Sequence, residues 1–301
     1  MDALLLNSGQ MIPRIGLGTY LIPKDKLSFV IGKAFAMGYR QFDTAWKYHN
    51  EKEIAIALKE NGINRKDVFI TSKFSIYANC KSISFRDHLY CLKYRSIHSV
   101  IEEQLRALDT DYIDLYLMHW PYPQYESIWK TMTSYFQKGV FRSIGVCSFL
   151  PQHLEALRGV SDIVPAVNQF EISPLNTQKK LIRYCTDHGI AVEAMSTFSK
   201  YHSNEAREEI INNEVIKTIA TAHGKTTVQV VLRWMYQQNI LLIPKTWDID
   251  HLKENISILD FSLSDDEMKQ IDDLDQGHFL NYNPYKAKQG FMKQFDSYRN
   301  E

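Results

Sequence analysis

Short apolar runs alternate along this chain with longer stretches in which apolar residues recur at three- and four-residue intervals. The first pattern predicts buried strands and the second amphipathic helices. Strands fall at Ile15–Leu17, Gln41–Phe42, Val68–Thr71, Asp114–Met118, Ser143–Val146, Ala166–Asn168, Ala191–Ala194 and Leu241–Ile243. Helices fall at Lys26–Met37, Glu51–Glu60, Ile97–Leu108, Ser127–Lys138, Pro151–Arg158, Thr177–His188, Thr227–Gln237 and His251–Ile258. Pro151 suits a first helical position, and Thr177 suits a cap. Gly62, Gly139 and Gly189 follow helical stretches as C-terminal stops. Ahead of the first barrel strand, ALLLNSGQMIPRIG reads as two short strands around an Asn-Ser-Gly turn.

Alternating strands and helices imply a parallel sheet covered by helices, either doubly wound or closed into a barrel. The periodicity is the same in both. Eight strands, with no GxGxxG after the first, favour an α/β fold of the (β/α)8 type. The 301 residues suit one such domain spanning 1–301. No repeat, low-complexity tract or linker divides it.

Four polar residues stand out against this frame. Asp43 and Tyr48 lie in FDTAWKYHNE, Lys73 in VFITSK and His119 in DLYLMHWP. Each sits at or just past the end of a predicted strand, where a parallel barrel builds its active site. A tyrosine beside a lysine and a histidine is a sensible proton donor. A phenol's ordinary pKa is about 10, and a nearby ammonium lowers it by favouring the phenolate. Taken singly, Asp43 and Lys73 read as a buried ion pair and His119 as a satisfied interior histidine. The four together favour catalysis.

Composition sets limits. Hydrophobic residues make up 45% and charged residues 23%, as in ordinary globular domains. Lys+Arg and Asp+Glu balance at 35 each, so no basic face advertises nucleic acid. No stretch reaches the ~18 apolar residues of a membrane span, and MDALLLNSGQ does not read as a signal peptide. Cys80, Cys91, Cys147 and Cys185 form no CxxC pair and no Cys/His ligand spacing. No metal site is expected, and reduced thiols point to the cytoplasm.

In these contexts the four residues resemble the catalytic tetrad of the aldo-keto reductases. GLGT, FDTA with its following tyrosine, ITSK, DLYLMHWP, VNQFE and IPKT occur in family order and at roughly family spacing, over nearly the whole chain. The resemblance implies a TIM barrel closed at the bottom by the N-terminal β-hairpin. It implies NADPH-dependent reduction of a small-molecule aldehyde or ketone by a monomer or weak oligomer. Tyr48 would be the proton donor, Lys73 the cation that lowers its pKa, and Asp43 the carboxylate that orients Lys73. His119 would hold the carbonyl oxygen.

The same resemblance implies a cofactor site. Gly18 and Thr19 fit beneath the nicotinamide ribose, beside Asp43. Gln169 fits the carboxamide, and Ser196 the pyrophosphate. Lys245 and Thr246 fit the adenosine 2′-phosphate, and Glu254 and Asn255 the adenine. Departures cluster here. The family's Ser-Asn pair at the carboxamide is Cys147-Ser148, and a thiol is a weak hydrogen-bond partner. The tyrosine that stacks on the nicotinamide is Met195, which lacks a planar face. The arginine at the 2′-phosphate is His251, which gives up a bidentate, permanently charged guanidinium. NADPH preference is therefore expected to be narrowed, with NADH usable.

Substrate-pocket positions depart as well. Tyr20 replaces a tryptophan, Ser75 replaces an aromatic residue, and Lys47 stands where an apolar residue is common; Trp120 is retained. Lys47 reads either as a partner for a substrate carboxylate or phosphate, or as a solvated lysine at the rim. The segments Ile76–Ser96 and Asn281–Gly290 read as loops for substrate selection. Two rivals stand beside the reductase. One is a cofactor-binding regulatory protein of the same fold with weak turnover, motivated by Cys147, Met195 and His251. The other is a non-redox barrel isomerase or lyase, for which no phosphate loop or metal cluster speaks.

Overall fold

Gly9, at φ +83°, turns the chain between two short antiparallel strands. These are β1 (Ala3–Leu5) and β2 (Met11–Pro13), with Leu4 opposite Ile12. The fully buried Ile12 clusters with Leu6, Phe69, Leu115, Leu117, Val167 and Leu241. The hairpin thus plugs one end of a barrel with apolar side chains. The structure is a computed structural model that describes residues 2–75, 96–198, 205–280 and 283–284.

The barrel strands are β3 (Leu17–Gly18), β4 (Gln41–Asp43), β5 (Phe69–Phe74), β6 (Leu115–Met118), β7 (Ile144–Cys147), β8 (Val167–Glu171), β9 (Ala191–Met195) and β10 (Leu241–Leu242). They lie parallel and pair in chain order. Bridges from Ile15 to Leu242 and from Gly18 to Lys245 join the first strand to the last. The fold is the expected (β/α)8 barrel with its hairpin.

The helices are α1 (Lys24–Ala36), α2 (Glu51–Glu60), α3 (Ile97–Ala107), α4 (Tyr125–Gln137), α5 (Pro151–Arg158), α6 (Lys179–Asp187), α7 (Glu205–Ile211), α8 (Glu214–His223), α9 (Thr227–Gln237), α10 (Ile249–Ile256) and α11 (Asp265–Asp272). Alternate strand residues face opposite ways. Phe42, Ile70, Tyr116, Val146, Phe170 and Val192 join the core beneath the helices. Each such burial stabilises by roughly 1.5–3 kcal/mol. Inward positions nearer the carboxyl ends of the strands are polar. Gln41 donates to Glu193 Oε1 at 2.7 Å, and Gln169 donates to Glu193 Oε2 at 2.6 Å. A polar layer therefore sits on the apolar floor and leads to the barrel mouth.

Gly62, Gly139 and Gly189 do end helices, at φ +64°, +77° and +68°. Thr177 does not cap α6. Its hydroxyl donates to Asp275 Oδ2 at 2.6 Å, a charged acceptor that outcompetes the helix N-terminus, and α6 starts two residues later. α4 and α10 each begin two residues before the predicted start, α10 because Asp248 caps it by accepting from the Asp250 and His251 amides. α7, α8 and α11 lie outside the predicted set. Most of Ile76–Ser96 and Asn281–Gly290, with Cys80 and Cys91, lies outside the described residues.

Candidate active site

Strand register brings the tetrad together. Asp43 closes β4 and pairs with Thr71 of β5. Lys73, two residues further on, points to the same side. His119 follows β6, and its amide donates to the Phe74 carbonyl at 3.0 Å. Tyr48 ends a single 3-10 turn, Trp46–Tyr48, and His49 at φ +53° bends the chain away from it. Asn50 anchors this loop. It donates to the Thr19 carbonyl at 3.0 Å and accepts from the Thr44 hydroxyl at 2.6 Å. Thr19 in turn donates its hydroxyl to the Asp43 carbonyl at 2.8 Å. The loops after β3 and β4 are thereby locked to each other. Sequence reasoning passed over Asn50, since it lies between a histidine and a helix start.

Lys73 is fully buried. Its ammonium donates to Asp43 Oδ1 at 2.5 Å, to the Thr44 carbonyl at 2.9 Å and to the Tyr48 hydroxyl at 3.4 Å. Burial pushes the Asp43 carboxyl up, while Lys73 and the Gln169 amide pull it back. The Tyr48 phenol does not follow the sequence-based expectation. Burial, reinforced by the Asp43 charge, holds it well above 10. Lys73 does not reverse this, because its own charge is already engaged by Asp43. Tyr48 therefore keeps its proton at neutral pH, in the form that can donate it.

His119 packs edge-on to Tyr48, with ring centroids 5.9 Å apart, and stacks on Trp120 at 5.9 Å. Burial, with the charges of Lys73 and Lys47, holds its pKa well below 6.5. The imidazole is neutral. Ser75 reaches its Nδ1 at 2.8 Å. Tyr20 lies against Tyr48, with ring centroids 4.7 Å apart. Lys47 is half-buried on the 3-10 turn.

A cavity of about 310 Å³ opens at this end of the barrel. Tyr20, Asp43, Tyr48 and His119 line its inner part, with Gly18, Gln169 and Met195 beside them. Its outer part is lined by Ser196, Lys245, Thr246, His251, Glu254 and Asn255. Lys73 sits behind Tyr48. Thr19, Lys47, Ser75, Trp120, Cys147 and Ser148 are not among the lining residues. Cys147 is fully buried and reaches the Gln169 side-chain oxygen at 3.8 Å, while the Ser148 amide donates to the Gln169 carbonyl at 2.9 Å. Arg207 of α7, not singled out from sequence, joins the outer wall.

A side chain at Gly18 would force the neighbouring backbone to shift. A Cβ would stand 2.8 Å from the Ile243 carbonyl, where β3 meets β10. Lys245 is exposed to the solvent side of the cavity, and partial desolvation lowers its pKa. It lies 4.2 Å over the Trp247 ring, with no carboxylate partner among the described residues. A cation with no carboxylate in ion-pair contact among the described residues, lining one cavity with a hydroxyl, an imidazole and a guanidinium, fits a phosphate-bearing ligand.

Behind the site, Gln169 donates to Asp43 Oδ2 at 3.1 Å and so connects it to Glu193. Burial and the Asp43 charge push Glu193 up to about 7. Glu51 is likewise pushed up to about 7 by burial and accepts from Ser72 at 2.5 Å and Gln104 at 2.7 Å. Gln104 also reaches the Lys73 carbonyl at 3.3 Å. An acidic residue inside the apolar run AVEAM was the sequence signal for Glu193. It needed the inward register to be read as buried.

A sequence model of the aldo/keto reductase family matches residues 14–276. The chain belongs to the aldo/keto reductase family. Among family relatives, morphine 6-dehydrogenase of Pseudomonas putida is 36% identical over 281 residues, with 90% of each chain covered. Glyoxal reductase of Bacillus subtilis is 35% identical over 285 residues, covering 94% of this chain and 96% of its own. The crystal structure of an aldo/keto reductase from Brucella melitensis superposes with a TM-score of 0.77 at 32% identity, covering 91% of this chain and 99% of its own. No helix among the described residues is long and apolar enough to cross a membrane.

Proposed function

We propose that this aldo/keto reductase reduces an aldehyde or ketone to an alcohol with a nicotinamide cofactor, NADPH preferred over NADH, and with Tyr48 as proton donor. The observation that carries this is a protonated phenol 3.4 Å from a fully buried lysine, on the wall of a cavity whose outer end holds a lysine with no carboxylate partner among the described residues. The relatives' names, morphine 6-dehydrogenase and glyoxal reductase, fit such chemistry.

When bound, the cofactor supplies the hydride. The residues supply the rest. His119, neutral and held between Tyr48 and Trp120, orients the carbonyl oxygen by a hydrogen bond. Tyr48 passes its proton to that oxygen as negative charge develops there. Lys73 faces the phenolate left behind, and Asp43 keeps Lys73 in place. Gln169 is the residue for the carboxamide and Gly18 the floor beneath the nicotinamide ribose. Ser196, Lys245 and Thr246 serve the phosphates, Glu254 and Asn255 the adenine. His251 and Arg207 stand where an adenosine 2′-phosphate would be read. Tyr20 borders the substrate on the cavity wall, and Trp120 backs His119 from outside it.

The regulatory alternative is not favoured, because the tetrad is complete and assembled. A titration of NADPH fluorescence followed by absorbance assays with small aldehydes tests the reading. Binding with turnover is expected. Binding without turnover across an aldehyde and ketone panel would contradict it.

A further inference from the structure

The Ser75 hydroxyl lies 2.8 Å from Nδ1 of His119, and the two side chains are only 3% and 5% exposed. Ser75 follows β5 directly, so its backbone is placed by the strand that also carries Lys73. The sequence resemblance puts an aromatic residue at this position. The hydroxyl here is therefore a feature of this chain.

A neutral imidazole carries one N–H, and its two nitrogens then play opposite parts. His119 is neutral, since burial and two lysine charges oppose its protonation. The serine hydroxyl has one proton to place. Among the described residues, Nδ1 of His119 is the acceptor within its reach. If Nδ1 carried the proton instead, the hydroxyl would accept and its own proton would lack an acceptor in a buried place. The other edge of the ring would then present a lone pair to the cavity. A lone pair repels a carbonyl oxygen, whereas an N–H binds it. Stacking on Trp120 and the edge contact with Tyr48 fix the ring plane, which leaves the choice of tautomer to Ser75.

We propose that Ser75 is a positioning residue that donates to Nδ1 of His119 and so sets the Nε2–H tautomer facing the cavity. Its catalytic consequence rests on the carbonyl-reductase reading above. The tautomer itself does not.

The test is nitrogen NMR of the resting protein labelled with ¹⁵N-histidine, with the His119 signals assigned by their loss in His119→Gln. Long-range ¹⁵N–¹H correlations distinguish the two tautomers. The parent should show protonated Nε2 and an accepting Nδ1. Ser75→Ala should give a mixture of tautomers and a kcat lower by on the order of tenfold, with NADPH affinity unchanged. Ser75→Thr, which keeps the hydroxyl, should restore both. A parent spectrum with protonated Nδ1 overturns the proposal, and so does a Ser75→Ala spectrum identical to the parent's. If the spectra behave as expected but the parent reduces no carbonyl compound, the proposed function fails while the assignment of Ser75 holds.

Discussion

The Lys73 ammonium donates to the Asp43 carboxylate at 2.5 Å, with the lysine closed off from solvent and the carboxylate almost so. A buried pair of this kind is costly to break, because the partner left behind is an uncompensated charge. Lys73→Met should therefore destabilise the protein by about 3–5 kcal/mol, while the double variant Lys73→Met/Asp43→Asn should lose less. Protonation of Asp43 relieves part of the single variant's loss, so the gap should widen as pH rises. Urea denaturation at pH 6 and pH 8 measures it. Equal losses in the single and double variants would mean that the pair is not the strained element.

Glu193 and Glu51 predict a pH dependence of stability. Both are pushed up to about 7 from an ordinary value of 4.5. Between those values the folded protein holds a proton that the unfolded chain has released. Stability should then fall as pH rises from about 5 through 7, by up to ~1.4 kcal/mol per pH unit for each group. Glu193→Gln removes one of the two titrations and should make the decline shallower. The check is unfolding free energy at pH 5, 6, 7 and 8, and an unchanged slope in Glu193→Gln would show that Glu193 is ionised throughout.

His251 sets a prediction on cofactor choice. It lines the outer cavity with Lys245 and Thr246, where the resemblance places an arginine. A charge-assisted contact to phosphate is worth about 1.5–3 kcal/mol, or roughly ten- to a hundred-fold in affinity. His251→Arg should raise the NADPH-to-NADH ratio of kcat/KM by about that factor. An unchanged ratio would mean that another group, Arg207 foremost, already supplies the discrimination.

Gly18→Ala probes the floor of the cavity. Its Cβ would meet the Ile243 carbonyl at 2.8 Å, so β3 and β10 must part. Overpacking of this kind costs about 1–3 kcal/mol. A lower melting temperature and weaker NADPH binding by fluorescence are expected together. Parent-like values for both would show that the seam yields freely.

Much of this was legible in the sequence. The eight barrel strands fall within one to three residues of their predicted ends, because parallel strands buried on both faces read as continuous apolar runs. Asp43, Tyr48, Lys73 and His119 were visible as polar residues where such runs stop, and the structure gathers them at one mouth. α8 carried its own signal, with Asn213 as cap, Ile216, Ile219 and Ala220 buried on one face and Gly224 as stop. It was hidden because it adds a helix to a stretch where strand–helix alternation predicts one. The Tyr48 pKa was misjudged for a different reason. Spacing shows that a lysine is near the phenol. It does not show how deeply the phenol is buried or that Asp43 already neutralises the lysine. Ser75, Asn50 and Glu193 escaped as supports of the site because each acts through a partner distant in sequence or through a loop whose bend the pattern does not encode.

The central claim is that Tyr48 gives up the proton. Tyr48→Phe removes only the hydroxyl and leaves the ring against Tyr20 and His119. The most direct measurement is kcat for aldehyde reduction in this variant, alongside its NADPH dissociation constant. Turnover should fall by on the order of 10²–10⁴ while cofactor affinity stays near that of the parent. Turnover within a few-fold of the parent, with the cofactor still bound, would contradict the assignment.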